Sequence, residues 1–267
     1  MYKLLALDLD GTLIGKDLVI SPRTKNAIGQ LIARGVIITI ATGRMFQSAR
    51  PFAQELNISV PIICYEGAMI ANPNTKEVLW HKPVPLNLAK RAIEIANKKE
   101  LHINAYLDDE LYVETVNEKA VLYASIARVS ANAVGNLLDF LNREPTKLVI
   151  VGTPEEIDGI DKTLKDEFKG ALHVAKSFPH FCEIAHRECS KANALSMLAD
   201  KLDIAQSEVV AIGDNPNDVD MVRWAGMGIG MANGTDEVKE VADWITGSIE
   251  EDGVAQAVEK FFKPATN

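Results

Sequence analysis

The sequence predicts an α/β protein: a Rossmann-like parallel-sheet domain, split in sequence by an inserted α+β domain. Two observations carry this. Apolar β-type runs alternate with helical stripes over the first 65 residues and again after Ser190. That order implies a parallel sheet with crossover helices. Between the two stretches, from about Pro83, helices are grouped with runs that read as antiparallel strands. The expected boundaries are 1–82 and 186–267 for the sheet domain and 83–185 for the insertion. A length of 267 residues suits one large or two moderate domains.

The first strand is expected at Lys3–Leu9, ending in acid and glycine. Ser21-Pro22 reads as an N-cap with proline in the first turn, opening a helix to Arg34 that Gly35 stops. Val36–Ala41 is a β-branched run suited to a strand covered on both faces. Met45–Leu56 follows as a helix and Pro61–Cys64 as a third parallel strand. Ala68–Ile70 and Val78–Trp80 flank the turn signal Asn72-Pro73-Asn74 and read as a hairpin.

In the insertion, helical stripes run through Val134, Leu137, Leu138 and Leu141, and through Ile157, Ile160, Leu164 and Phe168. Strands are expected at Lys147–Gly152, Ala171–Ala175 and Phe181–Ala185. The first pattern then resumes. Lys191–Leu202 is a helix, Glu208–Ile212 a strand, Asn217–Ala225 a helix, Gly228–Met231 a strand, and Asp236–Ala242 and Asp252–Phe262 helices.

Composition narrows the function classes. The net charge of -9 argues against nucleic acid, whose phosphate backbone wants a basic surface, and against an anionic membrane. A local positive site for a small anion is still compatible with it. No run approaches the roughly 18 apolar residues of a membrane span, and the N-terminus does not read as a signal peptide. Three cysteines without a CxxC pattern fit free thiols in a reducing, cytoplasmic setting.

Four segments carry chemistry. Asp8-Leu9-Asp10-Gly11-Thr12 closes the first strand. Side chains two apart on a strand share a face, so Asp8 and Asp10 converge where ligands bind in open α/β sheets. Like charges so placed repel unless a cation intervenes or one acid keeps its proton. The plainer alternative is an acidic turn. Gly213-Asp214-Asn215-Pro216-Asn217-Asp218 also follows a strand and brings Asp214 and Asp218 to the same edge; otherwise it is an Asx-rich helix cap. All-oxygen ligation of this kind suits Mg²⁺ and not zinc. Thr42-Gly43-Arg44, between a strand and a helix, offers a hydroxyl and backbone N–H groups to an anion, or simply caps the helix. Lys191 opens a helix, where the dipole slightly disfavours a cation unless an anion offsets it. The histidines show no ligand spacing, and neither GxGxxG nor a P-loop is present.

Taken in order, DLDGTL at Asp8–Leu13, ATGR at Ala41–Arg44, Lys191 and GDNPNDVDM at Gly213–Met221 resemble the four motifs of the haloacid dehalogenase superfamily, in its Cof-type sugar-phosphatase-like branch. Gly228–Ala232, Ala242-Asp243 and Glu251–Ala255 resemble the C-terminal segments of that branch. The resemblance implies a core with an inserted cap domain that sets specificity, and a Mg²⁺-dependent phosphomonoesterase acting on a small phosphorylated metabolite. It implies Asp8 as nucleophile forming an aspartyl-phosphate and Asp10 as general acid and base. Thr42 and the Gly43 backbone would hold phosphoryl oxygens, with Asn217 on the phosphate or on Lys191. Lys191 would orient Asp8. The metal would fall to Asp8, the Asp10 carbonyl and Asp214, with Asp218 behind them. Two departures stand out: Ala192 follows Lys191 where the family often has glycine, and Glu66 stands where it often has asparagine. A phosphotransferase or phosphomutase, a non-catalytic phosphometabolite sensor and a phosphoaccepting signalling domain are the competing readings. A monomer or small homo-oligomer is expected.

Overall fold

Strand β1 (Leu4–Leu7) is apolar at every position and every side chain is buried, as in a parallel strand covered on both faces. The computed structural model describes residues 2–262. Helix α1 (Pro22–Ala33) starts where the Ser21 side chain accepts from Thr24 N–H, with Pro22 in the first turn. Then come β2 (Ile37–Ile40) and α2 (Phe46–Glu55). The next strand, β3 (Ile62–Cys64), corrects one expectation. Among the described residues its ladder pairing with the parallel sheet is the isolated parallel bridge Ala41↔Ile63, where Thr42 N–H donates to Ile63 O at 2.9 Å. Its regular pairing is antiparallel, with β4 (Met69–Ala71), in a small sheet of order β3-β4-β5 completed by β5 (Val78–His81). A three-residue strand is too short to hold a long parallel register, so the adjacent strand captures it.

Residues His81–Cys189 form a compact unit of their own. Its elements are α3 (Leu86–Lys98), β6 (His102–Leu107), β7 (Glu110–Val113), α4 (Glu118–Ala127), β8 (Ala131–Ala133), α5 (Leu137–Phe140), β9 (Lys147–Val151), α6 (Pro154–Phe168), β10 (Leu172–Phe178) and β11 (Phe181–His186). The strands build one sheet of order β10-β11-β9-β6-β7-β8, antiparallel except at β7·β8. One face packs Ile103, Ala105, Leu148, Ile150, Cys182 and Ile184 against the α3 and α6 stripes Ala89, Ile93, Ile157 and Leu164. The alternate residues hold a buried polar group. Lys147 lies opposite Tyr106 on β6 and diagonal to Glu183 on β11, and its Nζ donates to Glu183 Oε2 at 2.8 Å.

The other unit joins the residues up to Trp80 to those from Ser190 onward. Helix α7 (Lys191–Lys201) is capped by Ser190, whose side chain accepts from Asn193 N–H. It precedes β12 (Val209–Gly213), α8 (Val219–Trp224), β13 (Met227–Gly230), α9 (Asp236–Val241), β14 (Trp244–Ile245) and α10 (Gly253–Phe261). The main sheet has the order β14-β13-β12-β1-β2, and all its pairs are parallel. The fold class is therefore the expected one: a parallel α/β core with a separate inserted sheet. The register of the two central strands decides where the acidic loops emerge. Leu7 pairs with Ile212, so the chain leaves β1 and β12 at the same edge, one residue before Asp8 and two before Asp214.

Candidate active site

Four buried charged residues converge at that edge. Asp8, Asp214, Asp218 and Lys191 are each no more than 5% exposed. Lys191 Nζ donates to Asp8 Oδ1 at 2.6 Å and to Asp218 Oδ1 at 2.7 Å. Asp218 Oδ2 accepts from Asp214 N–H and Asn215 N–H, both at 3.0 Å. Asp218 thus ties the loop after β12 to the lysine. Asp214 is held by two side chains: Thr12 Oγ1 donates to its Oδ1 at 2.8 Å and Asn215 Nδ2 to its Oδ2 at 2.9 Å. Gly11 makes this approach possible. Its φ is +89°, and a Cβ there would sit 2.2 Å from Asp214 Oδ2.

Three carboxylates share one ammonium, so burial leaves negative charge uncompensated. The pKa shifts follow from this. Burial, then the charge of Asp218, pushes the Asp8 carboxyl well above its ordinary value, although Lys191 pulls it down. Asp214 is pushed up to about 6 by burial, against the Thr12 hydroxyl bond and with the charge of Asp218 adding to the rise. Burial opposes the charge on Lys191, but Asp218, Asp8 and Glu66 outweigh it and hold the ammonium well above its usual range. One oxygen each of Asp8, Asp214 and Asp218 lies within 4.8 Å of the others. This all-oxygen, charge-deficient donor set fits a hard divalent cation.

The remaining expected residues lie around this cluster. Thr42 is buried, and its Oγ1 accepts from Arg44 N–H at 3.1 Å. The Asp10 carboxylate, half-exposed, accepts two hydrogen bonds from the Arg44 guanidinium at 2.6 and 2.7 Å. Asp10 is not part of the buried carboxylate group. Asn217 Nδ2 donates to Glu66 Oε1 at 2.9 Å.

Several site residues had no role in the sequence reading. Thr12 and Arg44 lay inside motifs already singled out, but nothing in the spacing says that Thr12 bonds an acid 202 positions away. Asn215 belongs to the same motif as Asp214. Asn233 has no local signal. Its Nδ2 donates to Gly11 O at 2.8 Å and its Oδ1 accepts from Ile249 N–H at 2.9 Å, pinning the loop after β1 from outside.

Comparison with known proteins agrees with the geometry. The model of the haloacid dehalogenase-like hydrolases matches residues 5–258. A 5-amino-6-(5-phospho-D-ribitylamino)uracil phosphatase of Bacillus subtilis is 30% identical over 263 residues, 97% of each chain. A pyridoxal phosphate phosphatase of Escherichia coli is 28% identical, over 96% of this chain and 97% of its own. The crystal structure of a haloacid dehalogenase-like hydrolase from Bacteroides thetaiotaomicron superposes with a TM-score of 0.91 at 31% identity, covering 98% of this chain and 100% of that one. With its parallel core, its inserted sheet and its ordered acidic motifs, the chain belongs to the haloacid dehalogenase-like hydrolases, in their Cof-type branch.

Proposed function

We propose that this chain is a Mg²⁺-dependent phosphomonoesterase for a small phosphorylated metabolite, working through an aspartyl-phosphate on Asp8. The observation that carries the reading is the Lys191 ammonium, buried between Asp8 and Asp218 and beside Asp214. The cluster supplies a carboxylate nucleophile, a fixed cation and a deficit of positive charge that a divalent metal would fill. The two relatives named for their substrates act on different molecules that have a phosphate ester in common. That supports the reaction class at the level of the phosphoryl group.

In this reading an Asp8 carboxylate oxygen attacks phosphorus. The bond from phosphorus to the leaving oxygen breaks, and Asp10 gives that oxygen its proton. Asp10 then takes a proton from water as the water oxygen attacks the aspartyl-phosphate. Phosphate leaves and the Asp8 carboxylate returns. Asp10 must exchange its Arg44 partners for the leaving oxygen during the cycle, which makes Arg44 the residue that parks the acid between turnovers. Thr42, the Gly43 backbone, Lys191 and Asn217 are assigned to the phosphoryl oxygens, whose charge must be neutralised in the transition state. Asp8, the Asp10 carbonyl and Asp214 would hold Mg²⁺, which supplies further neutralisation when bound. Asp218, whose Oδ1 accepts from Lys191 and whose Oδ2 accepts from the Asp214 and Asn215 backbone, is assigned to support the site from behind. The inserted unit is assigned the choice of leaving group.

The test is phosphate release from a panel of phosphorylated metabolites with Mg²⁺. EDTA should abolish release, and Asp8→Asn should lower it by at least about 10⁴-fold, the scale of losing a covalent nucleophile. Substrate loss without matching phosphate would replace hydrolysis with transfer to another hydroxyl.

A further inference from the structure

Glu66 stands among the groups assigned to the phosphoryl oxygens, and the backbone fixes it there. Tyr65 N–H donates to Arg44 O at 2.9 Å and Glu66 N–H to Thr42 O at 3.2 Å. The turn Tyr65–Gly67 is thereby paired with Thr42–Arg44. All three turn residues are left-handed, with φ of 53°, 56° and 93°. That conformation is unfavourable for Tyr65 and Glu66 and persists only where the surroundings enforce it. The other side of the turn supplies that support. A Cβ on Gly67 would lie 2.2 Å from Ser190 O, so the turn rests on the residue that caps the Lys191 helix.

Held between these supports, the Glu66 carboxylate lies against Gly43: a Cβ built on Gly43 would meet Glu66 Oε1 at 2.0 Å. The same oxygen accepts from Asn217 Nδ2 at 2.9 Å. Its charge also acts on Lys191. Gly43, Asn217 and Lys191 are three of the four residues assigned to the phosphoryl group. A carboxylate and a phosphate dianion carry like charge and seek the same donors, so they do not share the place comfortably.

We propose that Glu66 is a resident anion of the phosphoryl cradle: it holds Asn217 against Gly43 when no substrate is bound, and it competes with the phosphoryl group of substrate and of product. This rests on the phosphatase reading above. The contest concerns the group common to every phosphate ester. Glu66 therefore weakens all such ligands in similar proportion and does not choose among leaving groups.

Glu66→Gln tests this, because it keeps the side-chain length and an acceptor for Asn217 while removing the charge. Calorimetric titration with inorganic phosphate in Mg²⁺ should show binding about tenfold tighter than in the wild type, the effect of relieving a like-charge contact. KM should fall by a similar factor for substrates with unlike leaving groups. Glu66→Asn is the second variant; asparagine tolerates left-handed backbone and is too short to reach the cradle, so the same direction is expected. Phosphate binding unchanged or weaker in both folded variants would overturn the proposal. A KM change confined to one leaving group would overturn it as well. If neither wild type nor variant hydrolyses any ester, the phosphatase reading fails, while the phosphate titration still decides the role of Glu66.

Discussion

Each unit of this protein buries a lysine against carboxylate, and the two arrangements differ in one respect. In the inserted unit, the Lys147 ammonium donates to the Glu183 carboxylate and lies 5.7 Å from the centre of the Tyr106 ring. Burial opposes ionisation of Glu183, but the charge and hydrogen bond of Lys147, helped by Ser177 and His173, outweigh it and hold the carboxyl below its ordinary value. In the sheet unit, Lys191 meets two carboxylates with a third beside them, and burial drives Asp8 and Asp214 upward. Burial and ion pairing are common to both. Charge imbalance belongs only to the second, and it is the imbalance that invites a cation and an anionic substrate. The balanced pair reads as scaffold.

The sharpest break of this comparison is to remove each lysine in turn. Lys191→Met, assayed with Mg²⁺, should lower phosphate release by at least about 10³-fold, because a fixed charge at the reacting group is lost from a dry site. Lys147→Met should leave turnover of the folded protein largely intact. Comparable losses in the two variants would end the distinction between site and scaffold.

Stability should rank them differently. Lys147→Met strands Glu183 as a buried, uncompensated charge and should cost about 3–5 kcal/mol in urea unfolding. The double variant Lys147→Met with Glu183→Leu removes both charges and should recover most of that loss, since a balanced buried pair and an apolar replacement are often near in stability. A double variant no better than the single would mean that the pair contributes through contacts that packing cannot replace.

The same contrast explains what the sequence could reveal. The acids of the site follow strands whose apolar runs end abruptly, so Asp8, Asp10, Asp214 and Asp218 could be placed at one sheet edge from local pattern alone. Lys147 could not be read this way. It opens a strand, where a lysine ordinarily reaches water, and its partner lies 36 residues on. Helix α3 is absent from the sequence reading because much of its buried stripe is alanine, Ala89, Ala92 and Ala96, a faint apolar signal. Helix α4 buries only Ala120 and Tyr123, and β6 turns the polar residues Asn104 and Tyr106 inward. The Glu66–Asn217 bond joins residues 151 apart, and its meaning depends on the left-handed turn that aims Glu66 at Gly43. Local pattern finds residues that chemistry puts at element ends; pairings across the fold need the fold.

The smallest expected effect sharpens the comparison most, because its sign is unusual. Asp214 has a folded pKa of about 6 against an ordinary value of 3.8. A raised carboxyl value means that the folded state holds the proton more tightly than the unfolded chain. Stability from this group is therefore full below about pH 4 and is lost as pH rises through about 6. At pH 7 without metal, the ionised Asp214 should cost the folded state on the order of 1–3 kcal/mol, discounted for its coupling to the neighbouring carboxylates. Asp214→Asn removes that charge. In EDTA at pH 7 it should unfold at higher urea than the wild type, and the gap should close near pH 4. Saturating Mg²⁺ should reverse the order, because a ligand at 100 times its Kd adds about 2.7 kcal/mol to the protein that binds it. An asparagine variant less stable than the wild type in EDTA at pH 7 would show that the Thr12 and Asn215 bonds to Asp214 outweigh its buried charge, and the imbalance would lose its standing as the mark of the site.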